Sequence, residues 1–446
     1  MRNVFLIGAG RSSSYLINYL LEHAKEGDWT LTVADVSIQN AKEKIKGHPA
    51  GRAIEFDMHN DALLSGEVSR ADLVISMLPA HMHLPVALEC VKQKKNLVTA
   101  SYVTKEMHDL DSEARQNDII ILNECGLDPG IDHMSAMKVI HELQEKGARL
   151  NFFKSFTGGL VAPESNDNPW GYKFSWNPRN VILAGQGTAK YIEDGQYKYI
   201  PYSRLFSNAE SFLVEGHGSF DGYANRDSLA YRKIYGLNSI PTLLRGTLRQ
   251  QGFCKKWNVF VQLGLTDDGY QIEDSEHLTY KSFVEAFLPK SVKGKTVRER
   301  VAAFMQMNVT DPILDDIEWT GIFSDSPIRM KNASPAQILQ QLLEEKWKLK
   351  ESDKDLIVMQ HLFGYTLNSK NYVHTSSLVV KGENSVYTGM AKTVGLPVAI
   401  AARCILKGEI KLNGIQVPVL QEIYQPVLRE LSKYGIVFKE QTKELI

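Results

Sequence analysis

The stretch Asn123–His133 carries the residues best suited to chemistry, among them Glu124, Asp128, Asp132 and His133. A short apolar run, Ile119–Leu122, precedes it and reads as a strand buried on both faces. Met134–Lys146 follows, with Met134, Met137, Ile140 and Leu143 at helical spacing. Asp128 suits an N-cap, and Pro129 suits the first helical position, where its missing N–H costs nothing. The loop then lies at the carboxyl end of a strand, where open α/β sheets bind ligands. Asp128 is therefore either a proton-transfer group or only a helix cap, and local signals leave both open. His81 and His133 are further proton-transfer candidates, with a structural role as the simpler reading of each.

A second constellation opens the chain. Asn3–Ile7 is a mostly apolar run, and Gly8-Ala9-Gly10-Arg11-Ser12-Ser13 leads into a helix from about Ser14 to Ala24. Strand, glycine turn and helix start together form a cradle for a pyrophosphate, whose oxygens take backbone N–H donors. Ser13 stands where the third glycine of the usual fingerprint would be. Trp29–Ala34 reads as the second strand, and Asp35 at its end suits both hydroxyls of an adenosine ribose. Asp57 closes a third short strand, Ala53–Phe56. Ala71–Leu78 and Asn96–Ala100 read as further strands, the second ending in Ser101 and Tyr102. Strands alternating with helical stretches give an α/β fold of the Rossmann type, a doubly wound parallel sheet.

After about Arg149 the alternation stops. Leu150–Phe156, Asn180–Leu183, Ser211–Glu215 and Lys256–Leu265 read as strand-like segments of an inserted α+β substrate domain. Arg226, Arg245 and Arg249 lie in its loops, and guanidinium forks suit carboxylates. Residues 280–355 read as a helical subdomain. Tyr372–Met390 reads as one or two strands. Lys392–Arg403 and Val419–Tyr434 read as helices of a segment that packs back on the first domain. The expected boundaries are 1–125, 126–391 and 392–446.

Composition excludes several classes. The net charge of −1 and pI near 6.9 give no basic footprint for nucleic acid or an anionic membrane surface. The four cysteines, Cys90, Cys125, Cys254 and Cys404, are widely spaced, so neither a metal site nor a disulfide framework is expected. No apolar run reads as long enough to span a bilayer. The N-terminus starts a strand at once, without a signal peptide. A cytoplasmic protein follows as the expectation.

Several motifs together resemble the saccharopine dehydrogenase family, of the type that forms glutamate. They are Ser101–Val103, Asn123–Glu124 with Gly126–His133, Gly158–Gly159 with Ala162–Glu164, Asn168–Pro169 with Gly171–Trp176, Asn225–Ser228, and Arg245–Arg249. The resemblance covers nearly the whole chain. It implies a Rossmann domain completed by the C-terminal segment, an inserted substrate domain and a helical subdomain. The implied reaction interconverts saccharopine with L-glutamate and α-aminoadipate semialdehyde, using NAD or NADP, in lysine metabolism.

The resemblance also implies roles. Gly8, Ala9, Gly10, Arg11, Ser12, Asp35, Asp57, Met77, Ser101, Leu127, Asp128, Pro129 and Lys173 would line the dinucleotide. Ser101, Tyr102, Asp128, Arg226, Thr247 and Arg249 would contact saccharopine, with Asp128 and Tyr102 as the catalytic pair. Arg11 departs from relatives that often carry an aromatic residue there. Asp35 should repel a 2′-phosphate, so NAD is expected over NADP, with Arg11 as the cation that would reverse this. A homodimer is expected, with no nucleic-acid or membrane partner. Two rival readings are a carboxynorspermidine dehydrogenase of polyamine synthesis and a nucleotide-sensing relative without turnover.

Overall fold

Short, mostly apolar runs form the first six strands of the chain. They are β1 (Arg2–Ile7), β2 (Trp29–Asp35), β3 (Gly51–Glu55), β4 (Leu73–Ser76), β5 (Asn96–Thr99) and β6 (Ile120–Leu122). The computed structural model describes residues 1–225 and 227–445, and two compact units divide the chain. The first is Met1–Leu150 with Lys354–Ile446, and the second is Asn151–Asp353. The helix Ile131–Glu145 and the strands at 355–381 thus belong with the first unit, unlike the expected boundaries at 125 and 391.

In the first unit the strands form one parallel sheet, ordered Gly414–Gln416, β6, β5, β4, β1, β2, β3. The chain order runs outward in both directions from the β1–β4 pair. That reversal is the topological switch point, and the crevice at its carboxyl ends is where such sheets take ligands. All four residues of β4 are buried, as a sheet covered on both faces requires. Phe5, Ile7, Val74, Val86, Leu97 and Ile121 pack in one cluster. Each such side chain contributes on the order of 2 kcal/mol by leaving water.

The C-terminal segment completes this unit. Gly414–Gln416 pairs with β6 in register from Gly414 opposite Ile120. The helix Gly389–Leu406 packs against the helix Ser14–Glu22 that follows the glycine turn. At Gly395 the two backbones meet: a Cβ there would lie 2.8 Å from the Ser12 carbonyl. Asp355 holds the start of the long helix, accepting from Gly389 N–H at 2.5 Å and Met390 N–H at 2.9 Å. This helix has the length and hydropathy to cross a membrane, which the sequence reading did not anticipate because Lys392 and Arg403 interrupt the run. It is a core helix, with 78% of that window buried. A three-stranded antiparallel group, Asp355–Leu367, Lys370–Lys381 and Lys439–Leu445, lies in the same unit.

The second unit has a sheet ordered Glu210–Val214, Gly218–Ala224, Thr242–Gln250 and Arg149–Val161, the last pair parallel. A hairpin, Thr188–Glu193 with Gln196–Pro201, joins it at Leu243 opposite Ile192. Two expected strands are helices. Pro178–Ile182 replaces Asn180–Leu183, and Phe253–Gln262 replaces Lys256–Leu265. In the second, Phe253, Trp257 and Phe260 recur at helical spacing and bury one face, which outweighs the β preference of Val259 and Val261. The helices Tyr280–Phe287, Val297–Phe304, Pro312–Trp319 and Pro335–Lys346 complete the unit.

Candidate active site

Gly8 and Met77 meet at the switch point. Gly8 has φ +104°, and a Cβ on it would lie 2.9 Å from the Met77 carbonyl, so only glycine fits. Gly10, by contrast, has open space where a Cβ would be. A short helical turn, Arg11–Ser13, runs straight into Ser14–Glu22. This is the cradle that a dinucleotide pyrophosphate requires, so the residues fit that group.

Asp35 is turned into this cradle. Its Oδ2 accepts from Ala9 N–H at 2.8 Å, and its Oδ1 accepts from Ser37 N–H at 3.0 Å and the Asn40 amide at 3.3 Å. Lys44 reaches the same turn, donating to the Gly10 carbonyl and to Ser13 Oγ. Burial pushes its pKa down to about 8, against the attraction of Asp35. Sequence reading missed Lys44 because a tertiary contact, not a spacing, brings it there. Asp57 is exposed after β3 and accepts from His59 N–H at 2.9 Å.

The loops after β5 and β6 are stitched together. Glu124 N–H donates to the Ser101 carbonyl at 3.0 Å, and Cys125 N–H to the Thr99 carbonyl at 3.1 Å. Glu124 Oε1 accepts from Val103 N–H at 3.0 Å, and its Oε2 meets His133 Nε2 at 2.8 Å. His133 Nδ1 lies 3.7 Å from Asp132. His133 is fully buried in this cluster and serves the loop, while His81 is exposed.

Asp128 does not cap the following helix. That helix starts at Ile131, its N-cap is Gly130, and Asp132 Oδ1 accepts from Gly130 N–H at 2.6 Å. Between them Gly126 N–H donates to the Pro129 carbonyl at 2.9 Å, so the loop doubles back on itself. From Ile119 to Met137 every residue is buried except Asp128. Tyr102 donates its hydroxyl to Asp128 Oδ1 at 3.2 Å. Leu127 and Pro129 beside it are buried, and Ser101 and Tyr102 are half-buried. Beneath Ser101 lies His83, a histidine the sequence reading passed over. Its Nε2 is 2.6 Å from Ser101 Oγ.

In the second unit, Arg249 is buried among aromatic rings, 5.5 Å from Tyr172, 5.7 Å from Phe253 and 5.9 Å from Tyr223. It donates to the Leu248 carbonyl at 3.3 Å. Among the described residues no carboxylate lies within ion-pair distance of it. Thr247 is half-buried on the same strand. Arg245 stacks over Tyr231 at 4.1 Å. Lys173 is buried with its ammonium 2.8 Å from Asp167 and 2.7 Å from Asp353. The hydrogen bond from Lys173, and next that from Lys350, holds the Asp167 carboxyl down at about 2. Arg226 lies outside the described residues. Among the described residues no group of histidine, cysteine and carboxylate side chains could hold a metal ion.

Residues 126–436 match the description "Saccharopine dehydrogenase C-terminal domain" and residues 4–122 match "Saccharopine dehydrogenase NADP binding domain". The chain belongs to the saccharopine dehydrogenase family. Saccharopine dehydrogenase (NADP(+), L-glutamate-forming) of Pyricularia oryzae is 35% identical, with 98% of each chain covered. The Saccharomyces cerevisiae protein of that name is also 35% identical, with 99% of each covered. The solved apo structure of saccharopine dehydrogenase (L-Glu forming) from Saccharomyces cerevisiae matches with a TM-score of 0.88 at 34% identity, over 99% of this chain and 100% of that one. A dinucleotide-binding saccharopine dehydrogenase fold is thereby established. The expected preference for NAD finds no support, since the relatives' names carry NADP(+).

Proposed function

We propose that this chain is an oxidoreductase that interconverts saccharopine with L-glutamate and α-aminoadipate semialdehyde. The observation that carries the reading is the Tyr102–Asp128 pair at the strand ends, with Asp128 the one accessible residue between Ile119 and Met137. In the forward sense saccharopine, the oxidised dinucleotide and water give glutamate, the semialdehyde, the reduced dinucleotide and one proton. The dinucleotide supplies the hydride acceptor. Asp128 takes the proton of the secondary amine and later serves the attacking water. Tyr102 orients its carboxylate by hydrogen bonding. Ser101 and Thr247 offer hydroxyls, and Arg226 and Arg249 offer cations to a substrate with three carboxylates. A buried guanidinium with no carboxylate of its own favours an anionic ligand, because an unpaired buried charge is costly.

NADP is the proposed cofactor. Repulsion of a 2′-phosphate by Asp35 would need a free carboxylate there. Both of its oxygens instead accept N–H donors of the surrounding turns, and Lys44 adds a cation at Gly10. The remaining dinucleotide residues of this reading are Gly8 to Ser12, Asp57, Met77, Leu127, Pro129 and Lys173. Cytoplasmic residence and a homodimer belong to the same proposal, to be read by cell fractionation and light scattering. The decisive assay follows nicotinamide absorbance with saccharopine and each dinucleotide. Turnover with NADP at a kcat/KM at least tenfold above that with NAD is expected. Turnover with a carboxynorspermidine substrate, and none with saccharopine, would overturn the reading.

A further inference from the structure

Ser76 ends β4, Ser101 lies just past β5, and the imidazole of His83 is inserted between them. His83 Nδ1 is 2.8 Å from Ser76 Oγ, and Nε2 is 2.6 Å from Ser101 Oγ. Thr99 Oγ1 stands 3.3 Å from Nδ1 and accepts from Ser101 N–H at 3.3 Å. Ser76, Thr99 and His83 are buried, while Ser101 is half-buried. A buried histidine ordinarily closes its hydrogen bonds inside the core. This one ends its chain of bonds on a hydroxyl that reaches the candidate site.

Burial pushes the His83 pKa down to about 4, and repulsion by His81 adds to it. The ring is therefore neutral at physiological pH, with one N–H and one lone pair. Its two nitrogens present opposite characters to Ser76 and Ser101, and the ring also bonds the Leu78 backbone. The ring thus occupies one bonding direction of the Ser101 hydroxyl and leaves its other for a ligand.

We propose that His83 is a positioning residue that fixes the direction of the Ser101 hydroxyl toward the bound ligand, with Ser76 fixing the ring from behind. The inference rests on the reading that Ser101 contacts the dinucleotide or saccharopine. The Asn amide reaches the place of Nδ1, whereas the Gln amide reaches the place of Nε2. A merely structural role would not separate these two variants.

The test measures kcat, KM for saccharopine and dinucleotide affinity by nicotinamide fluorescence in the full chain. His83→Asn is expected to lower kcat/KM about tenfold, the scale of one well-placed hydrogen bond. His83→Gln is expected to stay within about threefold of the unaltered protein. In a Ser101→Ala background His83→Asn should cost nothing further. Ser76→Ala, at a buried hydroxyl behind the ring, should lower kcat/KM a few-fold and lose that effect in the same background; it serves if His83→Asn does not fold. Equal loss in the Asn and Gln variants, or additive loss with Ser101→Ala, overturns the role of His83 alone. Ser101→Ala with unchanged constants overturns instead the reading of Ser101 as a ligand contact.

Discussion

Asp128 and Lys173 are charged residues with opposite accessibility, and the difference separates chemistry from scaffold. Asp128 reaches solvent from a loop that is otherwise buried, and its carboxylate accepts from the Tyr102 phenol. Asp128→Asn keeps the shape and can still accept from Tyr102, yet it cannot take a proton. A loss of about 100- to 10,000-fold in kcat is expected, with dinucleotide affinity and melting temperature unchanged. Since Asp128 caps no helix, any fall in helix stability would contradict the geometry, and an unchanged kcat would remove it from the reaction. Lys173 is the reverse case. Its ammonium lies between two carboxylates, and Asp353 is nearly as buried as the lysine. Lys173→Met should cost about 3 kcal/mol in urea unfolding, because it strands a buried carboxylate. Unaltered stability with weakened dinucleotide binding would point to the cofactor contact that the family resemblance implies. The types and places of Gly8, Asp35, Ser101, Tyr102 and Asp128 were legible from strand ends in the sequence. The direction of the Asp35 carboxylate was not, nor was the bond from His83 to Ser101, because both depend on contacts between elements.

At the scale of elements, the loop 126–130 shows why its helix begins later than the Asp-Pro pair suggests. Gly130 has φ +148°, and a Cβ on it would lie 2.0 Å from the Gly126 carbonyl oxygen. The chain must close this loop before a helix can start, so Ile131 becomes the first helical residue. Propensity rules saw an N-cap and a proline; the backbone needed a turn first. Gly130→Ala should add about 1–3 kcal/mol of backbone strain, beyond the cost of displacing Gly126. We expect a lower melting temperature and a fall in kcat larger than any loss of dinucleotide affinity, since Asp128 rides on this loop. A variant with wild-type kcat would show that the loop adapts without moving Asp128. The misread helix Phe253–Gln262 carries the same lesson, because its aromatic spacing outweighed valines that favour strands.

At the scale of the molecule, the parallel sheet is assembled from both ends of the sequence. Alternating strands made its first six members legible, and the tight alanine-rich run after Lys392 suggested a return to it. The extent of that return was not legible, because hydropathy does not say which partner a buried helix has. The helix Gly389–Leu406 buries fourteen of its eighteen residues and touches the glycine-turn helix at Gly395. Gly414–Gln416 then covers the edge of β6, which would otherwise expose unpaired N–H and C=O groups. A chain ending at Thr388 therefore keeps every glycine-turn residue but loses the surface that holds the turn's helix and leaves a sheet edge bare. It should lose cooperative unfolding and fall at least 100-fold in dinucleotide affinity, measured by calorimetry and nicotinamide fluorescence. The chain 1–388 binding the dinucleotide within about threefold of the whole protein would show that the cradle is self-sufficient. Burial of Gly395 against the Ser12 backbone argues that it is not, since that contact sets the helix whose N-terminal N–H groups the phosphate needs.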